Sequence, residues 1–302
     1  EIPTAGYASF DKLHVALEYV KSVKPPMVIK ANGLAEGKGV VVAQTQVDAE
    51  RAVRKMLENR AFGEAGTIVV IEEYLQGEEA SFIAMVDGTN ILPLASSQDH
   101  KTRDDGDKGP NTGGMGAICP VNILTTDELL EVKNHMDKVV KKLNYKGVLY
   151  AGLMKTKDKV YFLEFNCRFG DPEAQVILNL LDSNLLDIMN DCIEGNDLTV
   201  KWKNSYAATV VLSHVDYPIK KLKEVVNISY TNDFDNSVKI YNSNVIEAGQ
   251  YQYTNGGRVL SMVSIDKTLQ IALENIYNNI HKIQYKGVYY RRDIGCNNIL
   301  EK

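Results

Sequence analysis

No apolar run in this 302-residue chain approaches the length of a membrane-crossing helix, and its start carries no signal-peptide pattern. The four cysteines (Cys119, Cys167, Cys192, Cys296) are scattered and form no Cys-x-x-Cys pair, which argues against a zinc site and suits a reducing, cytoplasmic location. There is no basic excess: 34 Lys and Arg against 39 Asp and Glu give a formal net charge of -5, so nucleic acid is not expected as the main partner, and without a spanning run neither is a membrane. No internal repeat is visible, and no Ser-His or Cys-His arrangement announces a protein nucleophile. An initiator Met is also lacking, since the chain opens Glu1-Ile2-Pro3-Thr4, and a fragment or an engineered start is the expectation. What is present is ordinary for a globular protein: 44% hydrophobic and 24% charged residues, with length enough for two or three packed units.

Hydrophobic periodicity predicts amphipathic helices over 11–23 and 48–60, the second with Ala52, Val53, Met56 and Leu57 on one stripe. Between them, 27–31 and 40–43 read as short strands around a glycine-rich loop. A meander of strands follows at 67–73, 80–86 and 90–95, with Asp87-Gly88 as the tight turn. The stretch from Ser96 to Gly116 is polar, with almost nothing to bury, and is expected to be a functional or disordered loop. A helix from about Thr126 carries Leu129, Val132, Met136, Val139 and Val140 on one face. Strands 147–154 and 159–165 form a hairpin, after which Asp171-Pro172-Glu173 reads as a helix start with Asp as N-cap. Gly195 reads as a helix stop. Beyond Val200 the sequence becomes β-rich, with strands near 206–213, 224–230, 237–246 and 257–265, a helix near 266–282 and a short last strand.

Four segments could carry chemistry. Lys30 with Gly33-Leu34-Ala35-Glu36-Gly37-Lys38-Gly39 superficially matches a phosphate-binding P-loop. The glycine spacing is one residue short, no Ser or Thr follows Lys38, and a strand rather than a helix comes next. What remains is a glycine-rich hairpin tip that can fold over a triphosphate, or else a plain turn with solvated lysines. In Leu163-Glu164-Phe165-Asn166-Cys167-Arg168, strand alternation puts Glu164, Asn166 and Arg168 on one face and Leu163, Phe165 and Cys167 toward the core. A carboxylate and an amide oxygen two residues apart suit a hard cation such as Mg²⁺ that keeps phosphate and water as its other ligands. Arg168 can then hold a γ-phosphate or a developing acyl phosphate.

The third segment is Ile71-Glu72-Glu73-Tyr74-Leu75-Gln76-Gly77-Glu78-Glu79. A strand ending in an open connection can lend backbone groups to adenine, and a carboxylate a few residues on can accept ribose hydroxyls. Exposed strand ends are the alternative. The fourth is the polar loop, with Asp99, His100 and Lys101 followed by Asn111, Thr112, Gly113, Gly114 and Met115. Mixed charge with clustered glycines suits close backbone approach to a small polar substrate. His100 could act as a base there, although a lone loop histidine is more often a hydrogen-bonding residue.

Together these strings resemble the glycinamide ribonucleotide synthetase family of ATP-grasp ligases, over essentially the whole chain. The most specific are Gly-Leu-Ala-Glu-Gly-Lys-Gly-Val at 33–40, Ser-Gln-Asp-His-Lys at 97–101, Gly-Pro-Asn-Thr-Gly-Gly-Met-Gly-Ala at 109–117, the run from Glu164 to Glu173, and Asn255-Gly256-Gly257-Arg258. The resemblance implies an α+β ATP-grasp fold: a lid (1–66), a larger antiparallel-sheet domain (67–200) and a smaller α+β carboxy-terminal domain (201–302), with ATP held between the first two. It implies that Lys30 and Lys38 meet nucleotide phosphate, that Glu72, Glu73, Tyr74 and Leu75 frame adenine, and that Glu79 meets ribose. Glu164 and Asn166 match the metal ligands, for Mg²⁺ or Mn²⁺. Arg168 and Lys30 would stabilise charge during transfer, and the polar-loop residues, with Asp171 and Arg258, would contact substrate.

The implied reaction joins glycine to 5-phosphoribosylamine through glycyl phosphate, giving glycinamide ribonucleotide, ADP and phosphate. Many ATP-grasp enzymes place a further metal-binding carboxylate on the preceding strand. Here that segment is Ala151-Gly152-Leu153-Met154, which leaves the ligands of a second ion open. Family members also carry an amino-terminal domain before Ile-Pro-Thr, with a further nucleotide-binding Lys. That domain is expected to pack against this chain, which is expected to be inactive alone. The competing readings are another ATP-grasp carboxylate–amine ligase or carboxylase, and a non-catalytic nucleotide-binding fragment.

Overall fold

The computed structural model describes residues 2–35, 39–220, 224–231 and 233–300. The chain divides into two compact units, one of Glu1–Glu78 with Thr156–Leu163 and the other of Glu79–Lys155 with Glu164–Lys302. The return to the second unit falls inside a single strand, Val160–Asn166.

The first unit is a four-stranded antiparallel sheet in the order Tyr7–Phe10, Val69–Glu73, Met27–Ala31, Val40–Ala43. Alternation along these strands sends Met27, Ile29, Val69 and Ile71 to one face. There they meet Ala16 and Val20 of the helix Leu13–Ser22, and Ala49 and Val53 of Gln46–Val53. Burying an aliphatic side chain of this size contributes about 1.5–3 kcal/mol. The helix expected over 48–60 is α-helical only to Val53. Arg54–Glu58 widens into a π turn that ends where the Asn59 N–H donates to the Arg54 carbonyl at 3.0 Å. Met56 still reaches the core through this turn.

In the second unit a six-stranded antiparallel sheet runs Val238–Asn242, Arg258–Asp266, Tyr206–His214, Gly116–Cys119, Gln98–Asp99, with Val288–Tyr289 also paired to Tyr206–His214. The sheet is covered on both faces. Ala117, Cys119 and Ala207 pack against Val176, Ile177 and Leu180 of the helix Glu173–Leu180. Ile118, one residue out of phase, lies beside Gly295 on the side of Leu269 and Leu273 from the helix Leu269–Ile280. This two-sided cover explains why Ala207–Leu212 is buried throughout and apolar but for Thr209, whose hydroxyl donates to the Met262 carbonyl at 3.2 Å. A smaller sheet holds Lys146–Lys155, Glu78–Asp87 and Ile91–Pro93. The turn at Asp87-Gly88 forms as expected: the Asp87 carboxylate accepts the Thr89 and Asn90 N–H groups, and Gly88 has a φ of 96°.

Helix ends follow their signals. Thr125 and Glu128 form a reciprocal capping box for Thr126–Leu143, and Gly195, with φ of 77°, closes Leu185–Glu194. Three expectations are corrected. The stretch from Ser96 to Gly116 is neither structureless nor one loop, since it holds the short strands Gln98–Asp99, Thr102–Asp104 and Lys108–Asn111. The strand expected over 237–246 is two, Val238–Asn242 and Val245–Ala248, in different sheets, and Tyr251–Thr254 was not expected. Asp171 does not cap the helix; Pro172 stands at that position, and the Asp171 carboxylate is engaged by Arg258 instead.

Candidate active site

The Val160–Asn166 strand delivers Glu164 and Asn166 to one face, as alternation requires. The Asn166 amide donates to Glu164 Oε1 at 3.0 Å, and Arg168 reaches Asn166 Oδ1 at 3.4 Å. Gly152 lies against this face, where an added Cβ would stand 3.2 Å from Glu164 Cγ. The opposite expectation fails: Phe165 is 37% exposed and Cys167 is exposed, so the alternate residues are not core. Two oxygen donors on an open, wet face fit a hard divalent cation that draws its remaining ligands from phosphate and water. Among the described residues no group of three or more His, Cys, Asp or Glu is arranged to enclose a metal.

The polar loop is drawn into a compact charged cluster. Lys101 Nζ meets Glu79 Oε2 at 2.8 Å. Burial would lower the lysine's pKa, but the Glu79 carboxylate in direct contact with it outweighs burial and holds the ammonium form. Asp99 Oδ1 is closed to solvent and finds no hydrogen-bond partner among the described residues. Its pKa is raised well above the ordinary range, by burial first and by the Glu173 charge second. Glu173 is only 2% exposed, and its carboxylate accepts from Ser81 Oγ at 3.3 Å, itself 2.9 Å from the Tyr150 hydroxyl.

Gly114 closes the loop onto this cluster. Its φ is 111°, and a Cβ there would stand 2.3 Å from Pro172 Cδ and 2.7 Å from Asp99 Oδ1, so only glycine fits. Arg258 clamps the same corner. It donates to the Gly113 carbonyl at 2.7 Å and the Asp171 carbonyl at 2.8 Å, and its second nitrogen meets Asp171 Oδ2 at 3.0 Å. The Gly113 N–H in turn donates to the Tyr217 hydroxyl at 2.8 Å. Thr112 Oγ1 bridges the Lys101 carbonyl and the Gly114 N–H, while Asn111 is exposed at the loop's edge.

Two expected contacts are corrected. Met115 is fully buried, so its side chain is core and only its backbone borders the loop. His100 Nε2 accepts the Gly295 N–H at 3.1 Å, and burial first, the Arg291 charge second, push its pKa down to about 4. A lone pair so committed is not a free base. In the first unit, Lys30 Nζ meets Glu72 Oε2 at 2.7 Å, Glu73 accepts the Gly6 N–H at 2.8 Å, Tyr74 is 41% exposed and Leu75 is half-buried. Lys38 lies outside the described residues. Gly33 is demanded by packing, since a Cβ there would stand 2.5 Å from Ala65 Cα. Sequence reasoning missed Ser81, Tyr150 and Tyr217, which sit on apolar-looking strands or plain loops, and gave Glu173 only a helix-start role.

The family model for the phosphoribosylglycinamide synthetase ATP-grasp (A) domain matches residues 1–174, and that for the C domain of the same synthetase matches 207–297. A phosphoribosylamine–glycine ligase of Vibrio cholerae is 43% identical over 97% of this chain, which spans 71% of that protein. The trifunctional purine biosynthetic protein adenosine-3 of Bos taurus is 41% identical over 97% of the chain, which spans 30% of it. The crystal structure of phosphoribosylamine–glycine ligase from Thermotoga maritima superposes with a TM-score of 0.87 at 33% identity, covering 97% of this chain and 75% of that one. The biotin carboxylase domain of Hydrogenobacter thermophilus 2-oxoglutarate carboxylase, with a TM-score of 0.73 at 15% identity, shares the fold.

Proposed function

Because the chain belongs to the phosphoribosylglycinamide synthetase family, we propose that it carries out ATP-dependent ligation of glycine to 5-phosphoribosylamine. The observation that carries this reading is the extent of the Vibrio cholerae match, 43% identity over 97% of this chain. A carboxylate resists attack by an amine, so one glycine carboxylate oxygen first takes the γ-phosphoryl group and ADP leaves. The amine then attacks the acyl carbon, and phosphate departs with that oxygen.

Lys30 and Arg168 stabilise the charge that moves during phosphoryl transfer. Glu79 and the 72–75 segment hold ribose and adenine, Lys38 joins the phosphate grip, and Arg258 and Asp171 fix the corner around Gly113. Glu164 and Asn166 hold Mg²⁺ or Mn²⁺, which supplies neutralisation of the triphosphate. Lys101, kept charged by Glu79, and the buried Asp99 and Glu173 offer a cation and two carboxyl groups to a small zwitterion and an incoming amine. The site works by positioning and electrostatics and needs no protein nucleophile. In this reading 1–66 serves as lid, 67–200 carries metal and substrate loops, and 201–302 closes the site with Arg258. No described helix is long and apolar enough to cross a membrane, and we place the protein in the cytoplasm.

ADP release by the protein in its full natural length tests this, with glycine, phosphoribosylamine and bicarbonate supplied in turn. Release that requires both glycine and phosphoribosylamine is expected. Release that follows bicarbonate would assign a carboxylase, and Mg-ATP binding without turnover a nucleotide-binding module.

A further inference from the structure

The hairpin of Thr102–Asp104 and Lys108–Asn111 joins the two halves of the substrate loop, yet 102–111 contains no buried residue. Apolar packing therefore does not fix its place. Arg103 donates to the Val215 carbonyl at 2.6 Å and lies over the Tyr289 ring. The Tyr289 hydroxyl donates to Asp104 Oδ1 at 2.8 Å, and the Arg292 N–H donates to Asp105 Oδ1 at 2.8 Å. The densest set of bonds to the hairpin, however, comes from Arg291 and Asp293. Arg291 is 1% exposed and grips Asp293 with both arms, Nε to Oδ1 and Nη2 to Oδ2, each at 2.8 Å. Its remaining nitrogen, Nη1, donates to Asp107 Oδ1 at 2.9 Å, Thr102 Oγ1 at 2.9 Å and the Thr102 carbonyl at 3.1 Å. Asp293 completes the clasp by accepting the Gly106 N–H at 2.7 Å.

A planar guanidinium with every nitrogen engaged fixes both distance and rotation, which a lysine in the same place does not. The clasp also stands one residue from the chemistry, because Thr102 follows Lys101 directly, and the Thr112 N–H returns to the Lys101 carbonyl at 2.7 Å. Displacing the hairpin therefore displaces Lys101 on one side and the Gly113–Gly114 backbone on the other.

We propose that Arg291, through its pairing with Asp293 and Asp107, is a positioning residue for the ligation, setting where Lys101 and the Gly113–Gly114 backbone stand toward the loop's substrates. The inference rests on the ligase reading for its kinetic consequence but not for the clasp itself. Asp107→Asn is the cleanest probe: φ there is 54°, a left-handed conformation that asparagine tolerates well, so the charge goes while the backbone stays. Arg291→Lys is the conservative partner, keeping charge and losing the fork.

In full-length protein, both variants are expected to speed amide hydrogen exchange across 102–111. They are also expected to lower kcat/KM for glycine, phosphoribosylamine or both by about tenfold or more, with a smaller rise in the KM for ATP because Lys101 is paired with Glu79. Unchanged exchange overturns the clasp. Faster exchange with unaltered kinetics, or all three KM values rising by the same factor, overturns the positioning role. Should the unaltered protein release no glycine-dependent ADP, the ligase reading fails on its own, and the exchange measurement still decides the clasp.

Discussion

His100 shows how burial turns a reactive-looking residue into a structural one with a measurable signature. Its folded pKa of about 4 lies below the ordinary 6.5, so the folded state binds fewer protons than the unfolded chain between those values. The stability it contributes is complete above the unfolded value and is lost as pH falls toward the folded one. Denaturant titrations of wild type and His100→Gln, whose amide oxygen can still accept the Gly295 N–H, should differ in pH dependence. The wild type should lose roughly 2 kcal/mol more between pH 7 and pH 5. Parallel curves would contradict the assignment. At this scale the sequence was informative about residue type and poor about direction. Asp99, Lys101 and Gly114 were legible because charge and glycine cluster in one string. The inward turn of Met115 and the commitment of His100 were not, because a loop without periodicity says nothing of which way a side chain points.

At the scale of elements, periodicity served where one face is buried. The Thr126–Leu143 helix was readable from its apolar stripe, while its cap, Thr125 with Glu128 three residues on, was a signal left unread. Thr125→Ala should cost about 1 kcal/mol in stability while leaving turnover unchanged, as denaturation and ADP release will show. The Val160–Asn166 strand was readable in half. Alternation placed Glu164 and Asn166 together, yet the chain turns away after Asn166 and leaves Phe165 and Cys167 uncovered. Glu164→Gln and Asn166→Leu are each expected to lower turnover by about a hundredfold or more, with circular dichroism and Tm preserved because Glu164 is exposed and Asn166 only half-buried. Full magnesium-dependent activity in both would remove them from the metal site.

For the molecule as a whole, the sequence pointed to strands and to partners joined by a tight turn, and not to partners far along the chain. Gly116–Cys119 pairs with Tyr206–His214, and that strand with Arg258–Asp266, across separations that local pattern does not encode. One consequence is that the substrate loop and Arg258 are built on a single sheet, and Arg291 reaches the same loop from the last stretch of chain. The central claim is that this scaffold activates a glycine carboxylate as an acyl phosphate before the amine attacks. Turnover of glycine labelled with heavy oxygen in its carboxylate, followed by mass analysis of the released phosphate, tests it most directly. The account predicts one labelled oxygen in each phosphate formed. Phosphate carrying only unlabelled oxygen, in a reaction that consumes glycine and ATP, would contradict it.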